Sequence, residues 1–352
     1  MSKKLSKQKL NDIITYGIVI AAFVIMQILI NAGEISSLFQ GLMVPLCTYI
    51  ILAISLNLVV GILGELSLGH AGFMCVGAFT SSFFSKAMQD TITNSTVRFL
   101  LALLIGIITA AIFGIIIGIP VLRLNGDYLA IVTLAFGEII KNLVNVLFIG
   151  KDSKGFHFST KDAVSLNMEP DGKIILNGPQ GITGTSNDST FFIGFILILV
   201  TLFIVLNLIH SRDGRAIMAI RDNRIAAESI GINITKYKLM TFTISAAMAG
   251  AAGVLYAHNL SNLTANTNNF GYNMSINILV FVVLGGIGNI RGSIIAAVVL
   301  TLLPELLRGM SDYRMLIYAI VLIVMMLFNW APKAIEWREK HLSFKKNKKE
   351  AA

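Results

Sequence analysis

Apolar blocks of about 20 residues recur along almost the whole of this chain, and few charges interrupt them. A block of that length is what an α-helix needs to cross the hydrocarbon core of a bilayer. The chain is 55% hydrophobic and only 13% charged, whereas soluble domains carry about 25% charged residues. The alternating segments of about 10 residues that form membrane β-barrels are absent from the sequence. The pattern therefore predicts an all-α, polytopic bundle of transmembrane helices.

Ten candidate spans follow from these blocks. They lie near residues 13–31, 41–61, 65–84, 99–119, 128–148, 191–209, 239–258, 275–287, 291–307 and 314–331. Lysine and arginine are concentrated at both ends of the chain and between the sixth and seventh spans, and such segments tend to remain cytoplasmic. An even number of spans leaves both ends on one side, so we expect both termini to be cytoplasmic. Because the basic clusters lie close to spans, they are better explained as topological signals than as nucleic-acid contacts.

The spans divide the chain into three parts. We expect a basic cytoplasmic segment 1–12, a transmembrane domain 13–331 and a basic cytoplasmic tail 332–352. The transmembrane domain includes a long extracytoplasmic loop, 149–190, and a cytoplasmic segment, 211–238. A loop as long as the first is usually functional or mobile. It could be a lid, a dock for an extracytoplasmic partner, or only a tether.

The stretch GILGELSLGHAG, residues 61–72, places four glycines, a carboxylate, a serine and an imidazole in apolar surroundings. In lipid, a broken helix is tolerated only where protein or a water-filled cavity surrounds it. We therefore expect a helix interrupted at membrane depth, with Glu65, Ser67, Gly69 and His70 as candidates for the lining of a translocation pathway. Two interpretations remain open. Either the free N–H groups of a half-helix beginning near Ser67 attract a substrate carboxylate, or Ser67 caps the helix and His70 satisfies the broken backbone.

Three more pathway candidates, Asn57, Gly285 and Gly286, lie in spans two and eight. Interhelical hydrogen bonding is the ordinary use of an asparagine such as Asn57, and close packing or a bend explains the two glycines without any substrate contact. Glu138 and Lys141 are three residues apart and share one face of span five. We expect them to form a structural ion pair, whereas a proton-relay role would suit an ion-driven transporter.

No catalytic motif occurs in the chain. Gly150-Lys151 is followed by Asp152, and the earlier glycine that a P-loop needs is missing. G-x-S-x-G and H-E-x-x-H motifs are also absent, and the five histidines are scattered without metal-ligand spacing. We therefore expect no enzymatic activity, no cofactor and no metal, and any transport must be driven by an ion gradient or by another subunit.

Residues 215–229 suit a short amphipathic helix between spans six and seven. Ile217, Ile220 and Ile225 share its apolar side, with Ala227 beside them, and a glycine follows the helix. A compact charged helix of this kind can dock into a groove on a partner. It could equally lie on lipid headgroups.

The same segment resembles the coupling loop of bacterial ABC-importer permeases, whose signature is Glu-Ala-Ala, three residues and Gly. Ala226, Ala227 and Gly231 match this signature, while Ile225 stands in the place of the Glu. Five longer runs resemble the LivM-type permeases of branched-chain amino acid importers, and they occur in that family's order over about residues 41–310. They are residues 64–71 (GELSLGHA), 126–140 (GDYLAIVTLAFGEII), 178–184 (GPQGITG), 215–233 (RAIMAIRDNRIAAESIGIN) and 285–288 (GGIG).

The resemblance implies the permease subunit of an ATP-driven importer of leucine, isoleucine and valine in the bacterial plasma membrane, working by alternating access. It implies as partners a second, LivH-like permease, two cytoplasmic ATP-binding subunits and an extracytoplasmic substrate-binding protein. The residues of its coupling loop that would contact the ATP-binding subunit are Arg215, Arg221, Asp222, Ala226, Ala227, Glu228 and Gly231. Similar permeases serve urea or short amides, and an ion-coupled secondary amino acid transporter is the rival class.

Overall fold

The computed structural model describes residues 2–33, 36–124, 126–170, 172–309 and 313–330, and most of them are helical. The helices are α1 Ser2–Asn31, α2 Ser37–Asn57, α3 His70–Ala87, α4 Ser95–Val121, α5 Asp127–Val146, α6 Phe191–His210, α7 Arg212–Asp222, α8 Arg224–Ser229, α9 Ile234–Ala257, α10 Thr267–Phe270, α11 Tyr272–Gly285, α12 Ile290–Leu306 and α13 Arg314–Trp330. The expected basic tail 332–352 lies outside the described residues.

Seven helices in this part of the chain are long and apolar enough to cross a membrane. They cover Asp12–Asn31, Ser37–Leu63, Ser95–Val121, Asp127–Val146, Phe191–His210, Ile234–Ala257 and Ile290–Gly309. The count of ten spans is therefore not confirmed. The three other expected spans correspond to α3, α11 and α13, which have 18, 14 and 17 residues. A helix as short as α11 extends only about 21 Å, less than the roughly 30 Å hydrocarbon core.

Helix α9 lies at the centre of the bundle and packs against α2, α3 and α4. Small residues allow this close approach, because Gly77 of α3 lies directly against Gly250 of α9, and Gly253 of α9 lies against Met74. A Cβ atom at Gly77 or Gly253 would overlap the neighbouring backbone. Since lipid tails are as apolar as the side chains, such tight backbone packing is what holds membrane helices together.

The expected loop 149–190 is folded rather than a bare tether, and it adds a small β-structure to a chain expected to be all-α. Strands β1 Phe148–Asp152, β2 Gly155–Ser159 and β3 Lys173–Asn177 form an antiparallel sheet in the order β2-β1-β3. Strand β4 Ile182–Thr183 pairs with β5 Asn262–Leu263, which follows α9. The pairing of β4 with β5 ties this segment to the end of the central helix.

Candidate coupling and translocation site

The helical chain does not stop where α2 ends at Asn57 but continues as a π-helix over Leu58–Leu63, here called the π segment. Gly64 closes it in the left-handed conformation with φ of 82°, and the N–H of Glu65 donates to the carbonyl of Val59. Residues 64–69, here called the α2–α3 connection, are not helical. π-Helical turns are rare and frequently mark functional sites.

Helix α3 begins at His70, so the expectation of a helix start near Ser67 was wrong. The residue before the helix is Gly69, and Ser67 does not cap it. The Ser67 hydroxyl is buried and has no hydrogen-bond partner among the described residues. His70 is also buried, and its Nε2 lies 2.7 Å from the hydroxyl of Ser55 in α2. It therefore pairs with a side chain rather than with the broken backbone.

Two hydroxyl groups from other helices satisfy the backbone where the connection meets α3. The N–H of Leu68 donates to Thr133 of α5 at 3.0 Å, and the N–H of Ala71 donates to Ser275 of α11 at 3.2 Å. Gly69 packs so closely on α5 that a Cβ atom would overlap the Thr133 carbonyl. At this end of the connection the non-helical backbone is thus bonded and packed by protein, whereas Gly64 and Leu66 at its other end are exposed.

Asn57 joins this region to the turn between α11 and α12. Its carbonyl oxygen accepts the N–H of Gly288 at 2.9 Å, and its amide donates to Ser293 at 2.9 Å. Helix α11 ends at Gly285, and Gly286 follows with φ of 95°, a conformation that favours glycine. A Cβ atom at Gly285 would also overlap the backbone of α12. These candidates therefore make the interhelical bonds and close contacts that their residue types favour.

The segment between spans six and seven, residues 211–231, forms two helices instead of the single helix expected over 215–229. Asn223 separates α7 from α8 with φ of −156°, and its side chain caps α8 by accepting the N–H of Ala226. Asparagine is among the best N-cap residues, which explains the second helix start at this position. We call residues 211–231 the coupling segment.

The coupling segment buries only part of its apolar surface. Ile217 and Ile220 of α7 and Ala227 of α8 are buried. Ile225 is 81% exposed and Ile230 is 75% exposed, so Ile225 does not share one side with the buried Ile217 and Ile220, contrary to the expectation for a single helix. Of the coupling candidates named above, all except Ala227 are exposed. These exposed residues are Arg215, Arg221, Asp222, Ala226, Glu228 and Gly231.

Arg221 connects the coupling segment directly to the π segment. Its Nη1 donates to the carbonyl of Gly61 at 3.1 Å, while its Nη2 lies 2.9 Å from the carboxylate of Asp222. The Arg221 stem also lies over Gly64, where an added Cβ atom would come within 2.6 Å of it. Arg221 therefore joins α7 to the point where the π segment meets the α2–α3 connection.

Glu65 forms an ion pair with Lys238 of α9. The Lys238 side chain is only 2% exposed and that of Glu65 is 15% exposed. Sequence reasoning missed this pair. The signal available was one acidic and one basic residue near span ends, since charges within a membrane bundle usually pair with each other.

Glu138 and Lys141 lie together, with Lys141 Nζ 2.5 Å from Glu138 Oε2. The other carboxylate oxygen of Glu138 accepts the N–H of Tyr272 at 2.8 Å, and Lys141 also donates to Thr267 at 3.2 Å. The pair therefore bridges α5 to α10 and to the start of α11.

Asp152 ends β1, outside the membrane-spanning helices. Its carboxylate accepts the N–H groups of Lys154 at 2.8 Å and of Glu169 at 3.3 Å, and His157 Nε2 lies 2.9 Å away. Burial raises the pKa of this carboxyl, but the hydrogen bonds from Lys154 and Glu169 and the contact with His157 outweigh it. The pKa of Asp152 therefore lies below its usual value.

Comparison with known proteins identifies the family. The sequence model for the permease component of branched-chain amino acid transport systems matches residues 38–328. The high-affinity branched-chain amino acid transport permease LivM of Salmonella typhimurium is 35% identical over 296 residues, which are 82% of this chain and 67% of LivM. LivM of Escherichia coli matches with the same identity and coverage.

More distant relatives cover similar shares of the chain. LivH of Salmonella typhimurium is 26% identical over 80% of this chain and 89% of its own length. The fructose import permease FruG of Bifidobacterium longum is 26% identical over 87% of this chain and 85% of its own length. No solved structure matches the sequence. Because the family model spans most of the chain and LivM exceeds 30% identity over most of it, the chain belongs to the family of permease components of branched-chain amino acid transport systems.

Proposed function

We propose that the chain is the membrane-spanning permease subunit of an ATP-driven importer that moves leucine, isoleucine and valine across the bacterial plasma membrane. The observation that carries this proposal is the hydrogen bond from Arg221 to Gly61, which joins the exposed coupling segment to the α2–α3 connection. A transporter driven only by an ion gradient needs no docking element at that place. The names of the LivM relatives, which describe branched-chain amino acid transport, support the substrate class.

The proposed mechanism starts at the coupling segment. Nucleotide-driven closure of an ATP-binding subunit moves α7, and Arg221 passes that movement to the carbonyl of Gly61 in the π segment. Asn57, at the start of the π segment, is bonded to Gly288 and Ser293, so the movement also reaches the turn between α11 and α12. The break after the π segment and the turn between α11 and α12 then shift together, and such a joint shift is a physical basis for alternating access.

The proposed partners act at opposite ends of the molecule. Helix α6 separates the folded segment 149–190 from the coupling segment 211–231, so these segments lie at the two ends of one candidate span. Two ATP-binding subunits dock on the coupling segment of this chain and of a second, LivH-like permease. An extracytoplasmic substrate-binding protein docks on the end that carries the β2-β1-β3 sheet. ATP hydrolysis belongs to the ATP-binding subunits.

We further propose ten crossings with both termini in the cytoplasm. In this topology α3, α11 and α13 also cross the membrane, and the non-helical α2–α3 connection completes the crossing made by α3. Residues 13–331 form the transmembrane permease domain, and the basic segments 1–12 and 332–352 lie on the cytoplasmic side, as the positive-inside rule favours.

Uptake in vesicles tests this function. The chain, its LivH-like partner, the two ATP-binding subunits and the binding protein are reconstituted together, and uptake of radiolabelled leucine is measured with and without ATP. We expect uptake to require ATP and to survive a protonophore while ATP is maintained. Prompt loss of uptake on collapse of the proton gradient at constant ATP would contradict the proposal and favour an ion-coupled transporter. Uptake of urea or acetamide in place of leucine would contradict the proposed substrate class.

A further inference from the structure

The middle of α5 carries polar groups that hydrocarbon would not tolerate. The side chain of Glu138 is 24% exposed and that of Lys141 is 10% exposed. Asn142, next to Lys141, is exposed, and Asn277 on α11 is exposed as well. Charged groups within a membrane almost always face a bundle interior or a water-filled cavity. This side of α5 and α11 therefore faces a passage or another subunit rather than lipid.

The Glu138 carboxylate occupies an anion position at the start of a helix. One of its oxygens accepts the N–H of Tyr272, the first residue of the 14-residue helix α11, and the other pairs with Lys141. Helix N-termini favour negative charge because their first N–H groups lack partners within the helix. Lys141 and the α11 N-terminus therefore hold one carboxylate, that of Glu138. This carboxylate is in turn an acceptor for an ammonium group.

We propose that Glu138 and Lys141 form a transient subsite for the amino acid zwitterion as it passes through the permease. The substrate ammonium group pairs with Glu138, and the substrate carboxylate pairs with Lys141 and approaches the N–H of Tyr272. The zwitterion inserts between two charges that already satisfy each other, so neither protein charge is left unpaired before or after it passes. This inference rests on the proposed function and assigns the pair a role in selecting zwitterionic amino acids over uncharged amides and sugars.

The first experiment removes both charges together. In the reconstituted transporter, the double variant Glu138→Gln, Lys141→Met is compared with Glu305→Gln, Arg308→Met. The control pair has the same i, i+3 spacing, with 2.9 Å between Arg308 and Glu305, and lies at the end of α12. Leucine uptake, the amount of assembled complex and the ATPase activity stimulated by the binding protein are measured for each.

We expect the double variant at Glu138 and Lys141 to assemble and to hydrolyse ATP normally, because removing both partners leaves no buried unpaired charge. Its leucine uptake should fall by about tenfold or more, because the zwitterion then meets no compensating charges in the passage. The control pair should leave uptake unchanged. Normal uptake by the Glu138 and Lys141 double variant would overturn the proposal and leave the pair a purely structural role.

A second experiment decides the matter if the double variant does not assemble. Asn142→Cys is placed on the side of α5 that carries Glu138, and Leu143→Cys on the apolar exposed side, which is turned away from Glu138, while Cys47 and Cys75 are buried. Leucine with the binding protein should slow the reaction of a water-soluble thiol reagent with position 142 by about threefold or more and should not affect position 143. No protection at position 142 would overturn the proposal.

The two proposals fail in different ways. If the unaltered complex shows no ATP-dependent leucine uptake, the proposed function is wrong. If the unaltered complex transports leucine and the double variant transports it equally well, the function stands and only the zwitterion subsite is wrong.

Discussion

Helices α7 and α8 are neighbours in sequence but differ in what they contact. Helix α7 buries Ile217 and Ile220 against the bundle and reaches the π segment through Arg221. Ile225 of α8 and Ile230, the residue that follows it, are exposed. Large apolar side chains on an exposed surface often mark a site of protein contact. We infer that α7 belongs to the moving parts of the permease and that α8 presents the surface for the ATP-binding subunit.

The largest expected effect is that of Ala226→Arg on α8. Ala226 is exposed, so an arginine there leaves the permease intact but places charge and volume in the proposed contact with the ATP-binding subunit. Leucine uptake should fall to background while the amount of permease in the membrane stays normal. The measurement is uptake together with co-purification of the ATP-binding subunits. Normal values of both would remove α8 from the docking surface.

Two other substitutions in the coupling segment would disturb folding as well as docking, so they test docking less directly. Ala227 is only 2% exposed and packs near Ile220 and Ile234, so Ala227→Arg should reduce the amount of permease itself. Gly231 has φ of 86°, and any other residue there is strained. The comparison of positions 226 and 227 therefore separates loss of docking from loss of folding.

The next effect tests α7 as a moving part. Arg221→Ala removes the bond to Gly61, and uptake should fall by about tenfold while the ATP-binding subunits still bind and hydrolyse ATP. Arg212→Ala, an exposed arginine at the start of α7, is the matched control and should change little. Equal uptake by the two variants would show that the Arg221 contact carries no coupling.

A smaller set of effects concerns the ion pair of Glu65 with Lys238. Glu65→Gln or Lys238→Met alone leaves a buried unpaired charge, which typically costs about 3–5 kcal/mol, so the yield of folded permease should fall. The double variant should recover most of that yield, as judged by gel filtration and thermal stability in detergent. If the single variants match the unaltered chain in yield, the pair contributes no net stability.

Thiol labelling tests which parts of the α2–α3 connection are accessible. In a Cys47→Ala, Cys75→Ala background, Leu66→Cys should react readily with a water-soluble reagent because position 66 is exposed. Ser67→Cys and His70→Cys should react much more slowly because both positions are buried. Fast reaction of position 67 or 70 in one nucleotide state would support the pathway role expected from the sequence.

The smallest effect lies away from both α7 and α8, in the β-structure. Asp152 has a lowered pKa in the folded segment, so its contribution to stability is present above the usual aspartate pKa and is lost as pH falls through the lower folded value. We expect the segment to become more sensitive to proteolysis below about pH 4. Asp152→Asn should make it more sensitive already at neutral pH and remove the part of the pH dependence that Asp152 contributes, leaving that of Asp162 and Glu169, whose pKa values are also lowered. An identical acid profile for both chains would contradict the assignment to Asp152.

Sequence periodicity located most helices because apolar length is a local property. The expected spans 99–119, 128–148 and 191–209 overlap α4, α5 and α6 almost completely. One local signal was misjudged. Asn223 caps the start of a second helix, so residues 215–229 do not form a single helix. The hydropathy of the sequence did not show that α3, α11 and α13 are shorter than the seven helices long enough to cross a membrane.

The sequence by itself determined the membrane-helical class, the lack of a P-loop and the family, because composition and contiguous motifs carry that information. Only the tertiary structure decided which polar groups meet. Arg221 reaches Gly61 across 160 positions, Lys238 reaches Glu65 across 173, and Asn57 reaches Gly288 across 231. Most polar groups buried in a bundle are hydrogen-bonded, but the choice among many possible partners depends on how the helices pack. The packing of the helices depends on contacts between small residues of different helices and on where the helices are interrupted. A local sequence pattern does not specify which of these residues meet.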